Sequence, residues 1–202
     1  MFAVVVGWQA LVVGRSYLVG RPLPEPIRLS SAATLEDPLA PTRTPSAYDL
    51  TIFVFSDYQC PSCRLLHADL ERLVTKDGHV RLVYKDWVVF GDRSHRAARL
   101  AIAAQWQRRH GVANDLFLHG ATGLDDRTLA AAAEKAGIDW GRLRRDLVLH
   151  GRTIDASLER TDRQARSLTL TGTPTLVIGD LMFAGRLTIG QLEEAIRLAR
   201  AR

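Results

Sequence analysis

Phe53-Val54-Phe55-Ser56-Asp57-Tyr58-Gln59-Cys60-Pro61-Ser62-Cys63 contains both cysteines of the 202-residue chain, three positions apart, between a β-branched and aromatic run and an amphipathic helical pattern. That layout delivers a thiol from a strand to a helix N-terminus, where unpaired backbone N–H groups and the helix dipole favour a negatively charged sulfur. Proline is favoured at the first helical position, so Pro61 makes Cys60 the cap and sets Cys63 inside the first turn, facing it. Cys60 is the expected nucleophile and Cys63 the resolving thiol. Pro61 and Ser62, lying between the two sulfurs, are the residues placed to tune their redox balance.

Other uses of the pair fit less well. A disulfide scaffold needs several bridges and a small core, whereas a chain of this length folds without staples. A zinc site needs about four ligands and usually two such pairs, which the cysteines alone do not supply. His67 stands four residues after Cys63, so Cys60, Cys63 and His67 share one helix face that offers a soft ion such as copper or zinc a site. The plainer reading of His67 is a solvated or half-buried helix position. No metal and no bound cofactor are expected at the cysteine pair.

Outward from this stretch, 47% hydrophobic and 24% charged residues are globular values. The net charge of +5 comes from cations that are nearly all Arg, with only Lys76, Lys85 and Lys135 as lysines. They are spread along the chain without a run of five like charges, and no nucleic-acid motif accompanies them, so nucleic acid is not an expected partner. Residues 1–14 are apolar apart from Gln9, and Tyr17–Gly20 continues the trend after Arg15 and Ser16. That run falls short of the roughly 20 apolar residues of a membrane span and lacks the basic start of a secretory signal. Residues 1–20 are read as an apolar anchor or signal-like segment, with a true start upstream of Met1 or a terminal element of the fold as the other readings. Six of the eight prolines lie between Pro22 and Pro45. That density resists helix and central strand, so residues 21–47 read as an extended linker with one edge strand near its end.

The folded domain is expected over 48–202. Asp49–Ser56 is a strand apolar on both faces, 61–77 is a helix stopped by Gly78, and Val80–Trp87 is a second strand, giving a β-α-β unit. For about 85 residues the pattern is then helical. Helices are expected over Ser94–His110 closing at Gly111, over Asp126–Ala136 closing at Gly137, from a cap at Asp139 through Leu149, and over Thr153–Leu168. They make a helical insertion spanning about 93–170. Strand signals return at Thr173–Ile178 and Leu181–Ala184 around a Gly179-Asp180 turn, and Thr188 and Gln191 form a capping box opening the last helix.

Four separated segments now resemble one family: FSDYQCPSC (55–63), VYKDWVVFGDRSHRAARLAIAAQ (83–105), TGTPTLVIGD (171–180) and LEEAI (192–196). In this order they resemble the DsbA-like thiol-disulfide oxidoreductases of the thioredoxin superfamily. The resemblance implies an α/β, thioredoxin-like fold with an inserted helical subdomain. It also implies a cis Thr173–Pro174 peptide lying against the Cys60–Cys63 pair, with the Thr173 backbone receiving an extended substrate peptide by strand addition, a main-chain grip that tolerates many sequences. The implied activity is exchange of the Cys60–Cys63 disulfide with substrate protein thiols as an oxidase. A reductase or isomerase of the same fold is the nearer alternative, and a copper or zinc chaperone using Cys60, Cys63 and His67 the more distant one.

The partners implied are extended thiol-containing proteins and a membrane-bound, quinone-linked thiol oxidase. The location implied is extracytoplasmic, periplasmic, with residues 1–20 as a membrane tether. Strongly oxidising relatives carry His where this chain has Ser62, which offers Cys60 a weak hydrogen bond and no charge. Superfamily potentials span about −120 to −270 mV, so this position bears on the direction of electron flow. Lys85 and Asp86 sit at the polar end of the second strand, Lys85 either tuning thiolate electrostatics or, more simply, standing as a solvated charge. Asp57 opposes a thiolate, helps move protons during exchange, or caps backbone N–H groups. Val88 stands where relatives often have proline, and Thr169 where they often have glycine.

Overall fold

A computed structural model describes residues 27–30, 32–120 and 125–202. Two short strands, β1 (Ile27–Arg28) and β2 (Thr42–Arg43), precede β3 (Leu50–Ser56), α1 (Pro61–Asp77) and β4 (Val80–Asp86). Helices follow: α2 (Asp92–Ala103) with a 3-10 turn over Ala104–Gln107, α3 (His110–Asp115) running into a π-helical turn at Leu116–Gly120, α4 (Asp126–Lys135), α5 (Trp140–Leu149) and α6 (Gly151–Ser167). The chain closes with β5 (Thr175–Ile178), β6 (Leu181–Ala184) and α7 (Ile189–Arg200). This is the α/β, thioredoxin-like arrangement with a helical insertion.

The six strands lie in the order β1-β6-β5-β3-β4-β2. β3 and β4 run parallel, as a helical crossover requires, and β5 pairs antiparallel with β3 and, through the Gly179-Asp180 turn, with β6. Alternation along the strands divides the core between two faces. Ile52, Val54, Leu82, Leu176 and Ile178 meet Leu66, Leu70 and Leu73 of α1 and Leu192 and Ile196 of α7. On the other face Phe53, Phe55, Val83, Val177 and Met182 lie under Ala165 of α6. A third cluster fills the helical insertion and reaches Tyr58, Cys60 and Cys63.

The predicted caps are present. Asp139 accepts from the Arg142 N–H (2.8 Å), Thr188 and Gln191 form the capping box, and Gly78 ends α1 at φ 75°. Thr169, at the position where relatives often have glycine, has φ 53°, a left-handed conformation unusual for a β-branched residue. The expected helix over Ser94–His110 is divided instead. Arg108 turns left-handed (φ 58°) after the 3-10 segment, and the chain re-enters helix at His110 and passes through Gly111 rather than stopping there.

The edge strand expected near the end of 21–47 is β2, while the described part of that segment before it packs against the domain; residues 1–26 and 31 lie outside the described residues. β1 covers the edge of β6 and β2 covers the edge of β4, so both open sheet margins are paired. Proline does not prevent this, because it keeps its acceptor: the Pro41 carbonyl takes the Tyr84 N–H at 2.9 Å. Between the strands Leu35 is 1% exposed against Phe53 and Phe55, and the buried Asp37 carboxylate accepts from Leu39 N (3.0 Å), Ser157 (3.3 Å) and Arg160 (2.7 Å). Among the described residues no helix is long and apolar enough to cross a membrane. Leu35→Ala should therefore lower unfolding stability by about 2–4 kcal/mol in urea denaturation; a loss under about 0.5 kcal/mol would return the segment to the status of a tether.

Candidate active site

The end of β3 and the start of α1 place the two thiols. Cys60 leaves the strand in extended conformation and caps the helix, Pro61 occupies its first turn, and the Cys60 sulfur accepts the Cys63 N–H at 3.4 Å. A sulfur in that position faces the positive end of a 17-residue helix. The hydrogen bond that Cys60 accepts comes from this backbone N–H, not from the half-exposed Ser62 hydroxyl expected to supply it. Both cysteines are free thiols.

Opposite them is the turn before β5. The Thr173–Pro174 peptide is cis, as the family resemblance implied, and the Cys60 thiol donates to the Thr173 carbonyl at 3.3 Å across 113 positions of sequence. Pro174 is buried and Thr173 half-buried. Sheet register explains the meeting, since Phe55 of β3 pairs with Thr175 of β5 and the segments beyond that pair emerge together. All of Cys60, Pro61, Ser62, Cys63, Thr173 and Pro174 therefore gather at one end of the sheet.

The two thiols are chemically unequal. Burial pushes the Cys63 thiol far above its ordinary range, outweighing a favourable contact with the Asp57 backbone, and the neighbouring Cys60 sulfur adds to the rise. Cys63 thus holds its proton, while Cys60 occupies the helix cap.

Asp57 resolves as a structural acceptor. Its 2% exposed carboxylate takes the N–H groups of Gln59 (2.7 Å), Val89 (2.8 Å) and Phe90 (3.1 Å) and the Ser94 hydroxyl (2.5 Å). One side chain so ties the approach to Cys60 to the loop after β4 and to α2. Gln59 strengthens the tie by donating to the Phe90 carbonyl (2.8 Å) and to Ser94 (2.9 Å). Lys85 is not solvated: it is fully buried, donates to Gln164 of α6 at 2.9 Å, and burial pulls its ammonium down to about 8. Lys85 lies on the sheet face opposite α1, so it does not reach the thiols.

A polar network was not visible in the sequence. The buried Tyr58 hydroxyl lies 3.1 Å from both Asp86 Oδ1 and Asn114 Oδ1 and is kept protonated by burial first and Asp86 second. Asn114 also reaches His67 Nδ1 (3.3 Å), and His67 Nε2 lies 3.5 Å from Asp115. Only β4, α1 and α3 packed together bring these residues into contact. His67 is buried and turned toward α3, so Cys60, Cys63 and His67 do not converge as a shared metal-ligand set.

The chain belongs to the DSBA-like thioredoxin domain family, whose profile matches residues 51–197. Its structure is similar to that of a thioredoxin-like oxidoreductase from Silicibacter pomeroyi DSS-3, at 30% identity and TM-score 0.79, over 86% of this chain and 99% of that one. A periplasmic thioredoxin-like protein from Salmonella enterica serovar Typhimurium matches at 25% identity and TM-score 0.73, over 85% and 95% of the two chains. The thiol-disulfide exchange protein alpha-DsbA2 from Wolbachia pipientis shares the fold at 22% identity and TM-score 0.77, over 82% and 89%. No curated protein matches the sequence.

Removing the Asp57 carboxylate leaves three backbone donors without their acceptor. Asp57→Ala should cost about 2–3 kcal/mol of stability and speed hydrogen exchange at residues 89–94. Unchanged exchange in that loop would refute the anchoring role.

Proposed function

We propose that this protein exchanges the Cys60–Cys63 disulfide with thiols of extended protein substrates and works as an oxidase. The observation that carries the reading is the inequality of the two sulfurs, Cys60 at the helix cap beside the Thr173 carbonyl and Cys63 buried behind it with its proton retained. In the oxidised form a substrate thiolate attacks Cys60. The Cys60–Cys63 bond breaks, a substrate–Cys60 disulfide forms, and the electron pair leaves on Cys63, which takes up a proton. A second substrate thiolate then attacks the substrate sulfur, the substrate disulfide forms, and Cys60 departs as a thiolate facing the Cys63 N–H. The substrate loses two electrons and the enzyme gains them.

Burial of Cys63 prolongs the mixed disulfide. A protonated resolving thiol attacks the mixed disulfide slowly, which leaves time for the second substrate thiol. Thr173 and Pro174 form the peptide-binding edge, with the Thr173 backbone pairing to the substrate main chain, and Pro61 and Ser62 tune the couple. The active couple is the cysteine pair itself, without a bound cofactor or metal.

Reoxidation comes from a membrane-bound, quinone-linked thiol oxidase, and the protein works outside the cytoplasm, with residues 1–20 as its tether. The apolar composition of those residues and the periplasmic description of the Salmonella relative support this placement.

Cys60→Ser should abolish exchange, whereas Cys63→Ser should accumulate substrates as mixed disulfides on Cys60, read by non-reducing electrophoresis; activity retained in both variants would place the chemistry elsewhere. Equilibration of the pair with glutathione separates the directions. A potential near the roughly −120 mV of the oxidising members supports an oxidase, one near about −180 mV an isomerase, and one near the roughly −270 mV of thioredoxin assigns a reductase.

A further inference from the structure

Beside the thiol site, on the helical insertion, a second group of side chains converges. His67 of α1, Asp115 at the end of α3 and His119 in the π-helical turn each present one donor atom, and the three atoms lie within 4.8 Å of one another. His67 Nε2 and Asp115 Oδ1 are 3.5 Å apart. Ligand bonds of about 2.0–2.2 Å in a tetrahedral zinc site put donors roughly 3.3–3.5 Å apart, so this pair already has the spacing. The His119 ring lies 5.5 Å from that of His67, centre to centre, on the exposed side of the group. Rotation about its own side-chain bonds closes the remaining gap of roughly 1 Å. We propose that His67, Asp115 and His119 form a binding site for a borderline-soft divalent transition ion, zinc being the fitting case, with solvent in the remaining position.

The buried network behind His67 supports this assignment. The Tyr58 hydroxyl has one proton, yet two oxygens, Asp86 Oδ1 and Asn114 Oδ1, lie 3.1 Å from it, while the Asn114 nitrogen faces His67 Nδ1. Turning the Asn114 amide over gives each of these contacts one donor and one acceptor: Tyr58 donates to Asp86, Asn114 Nδ2 donates to Tyr58, and Asn114 Oδ1 accepts the His67 Nδ1 proton. His67 Nε2 is then an unprotonated lone pair aimed at Asp115. An imidazole whose far N–H is held by an amide oxygen is the orienting arrangement that metal-bound histidines require. Two imidazoles and one carboxylate suit zinc better than calcium or magnesium, which take oxygen ligands. The ion would join α1, one turn beyond Cys63, to the insertion that packs over it.

The site is distinct from the cysteine pair and is tested without it. Zinc is titrated calorimetrically into the full chain carrying Cys60→Ser and Cys63→Ser, with folding checked by circular dichroism. One zinc should bind per chain, and adding His119→Ala or Asp115→Asn should each weaken binding at least 10-fold. Both residues are exposed, so neither change removes core packing. Cobalt in place of zinc should give the strong visible absorption of a four-coordinate ion. Absence of stoichiometric zinc binding in the cysteine-free chain, or affinity unchanged by both ligand substitutions, overturns the proposal.

Discussion

Antiparallel pairing of β3 with β5 is the constraint on which the site depends. The Phe55–Thr175 register sets Cys60, just past one strand, opposite Thr173, just before the other. β4 runs parallel to β3 and ends beside it, so the chain after Asp86 leaves the sheet at that end and returns to it there at β5. The helical insertion does so as a separately packed unit whose core reaches back to Tyr58, Cys60 and Cys63. A shift of one residue in this pairing would exchange the faces of β5 and move Val177 from under α6 to the α1 face, so core burial and site assembly enforce the same register.

The same packing makes the thiols unequal. Both cysteines are buried where α1 closes against the insertion, but the Cys60 sulfur sits at the helix cap with a backbone N–H donor, whereas burial holds the proton on Cys63. The Asp57 carboxylate secures that arrangement from outside it, because its oxygens are occupied by Gln59, Val89, Phe90 and Ser94. A carboxylate saturated by four donors does not need to be a proton carrier to be indispensable. The edges of the sheet are secured in the same economical way, by two-residue strands that lie within a proline-rich segment.

Much of this is legible in the sequence where the signal is local. The Cys60-Pro61 cap, the Leu66, Leu70, Leu73 stripe of α1, the Gly179-Asp180 hairpin and the Thr188–Gln191 box each declare themselves within a few residues. Features set by distant partners do not. Lys85 looks like a solvated strand-end charge until α6 closes over it, and Leu35 looks like linker until the second face of the sheet needs covering. Asp57 is ambiguous because its acceptor role depends on a loop some 30 residues away. The grouping of His67 with His119 was hidden by Gly111, which reads as a helix stop yet lies inside α3. Family resemblance, not periodicity, pointed to Thr173 and Pro174, since nothing local links them to the cysteines.

Exchange at this site depends on one sulfur being poised for reaction while its neighbour is held as a thiol. Its most direct test is alkylation of the reduced protein by iodoacetamide near pH 8, with the label on each cysteine quantified by peptide mass spectrometry over time. Cys60 should be labelled selectively and Cys63 should remain unmodified until the protein is denatured. Equal labelling of the two, or faster labelling of Cys63, would contradict it.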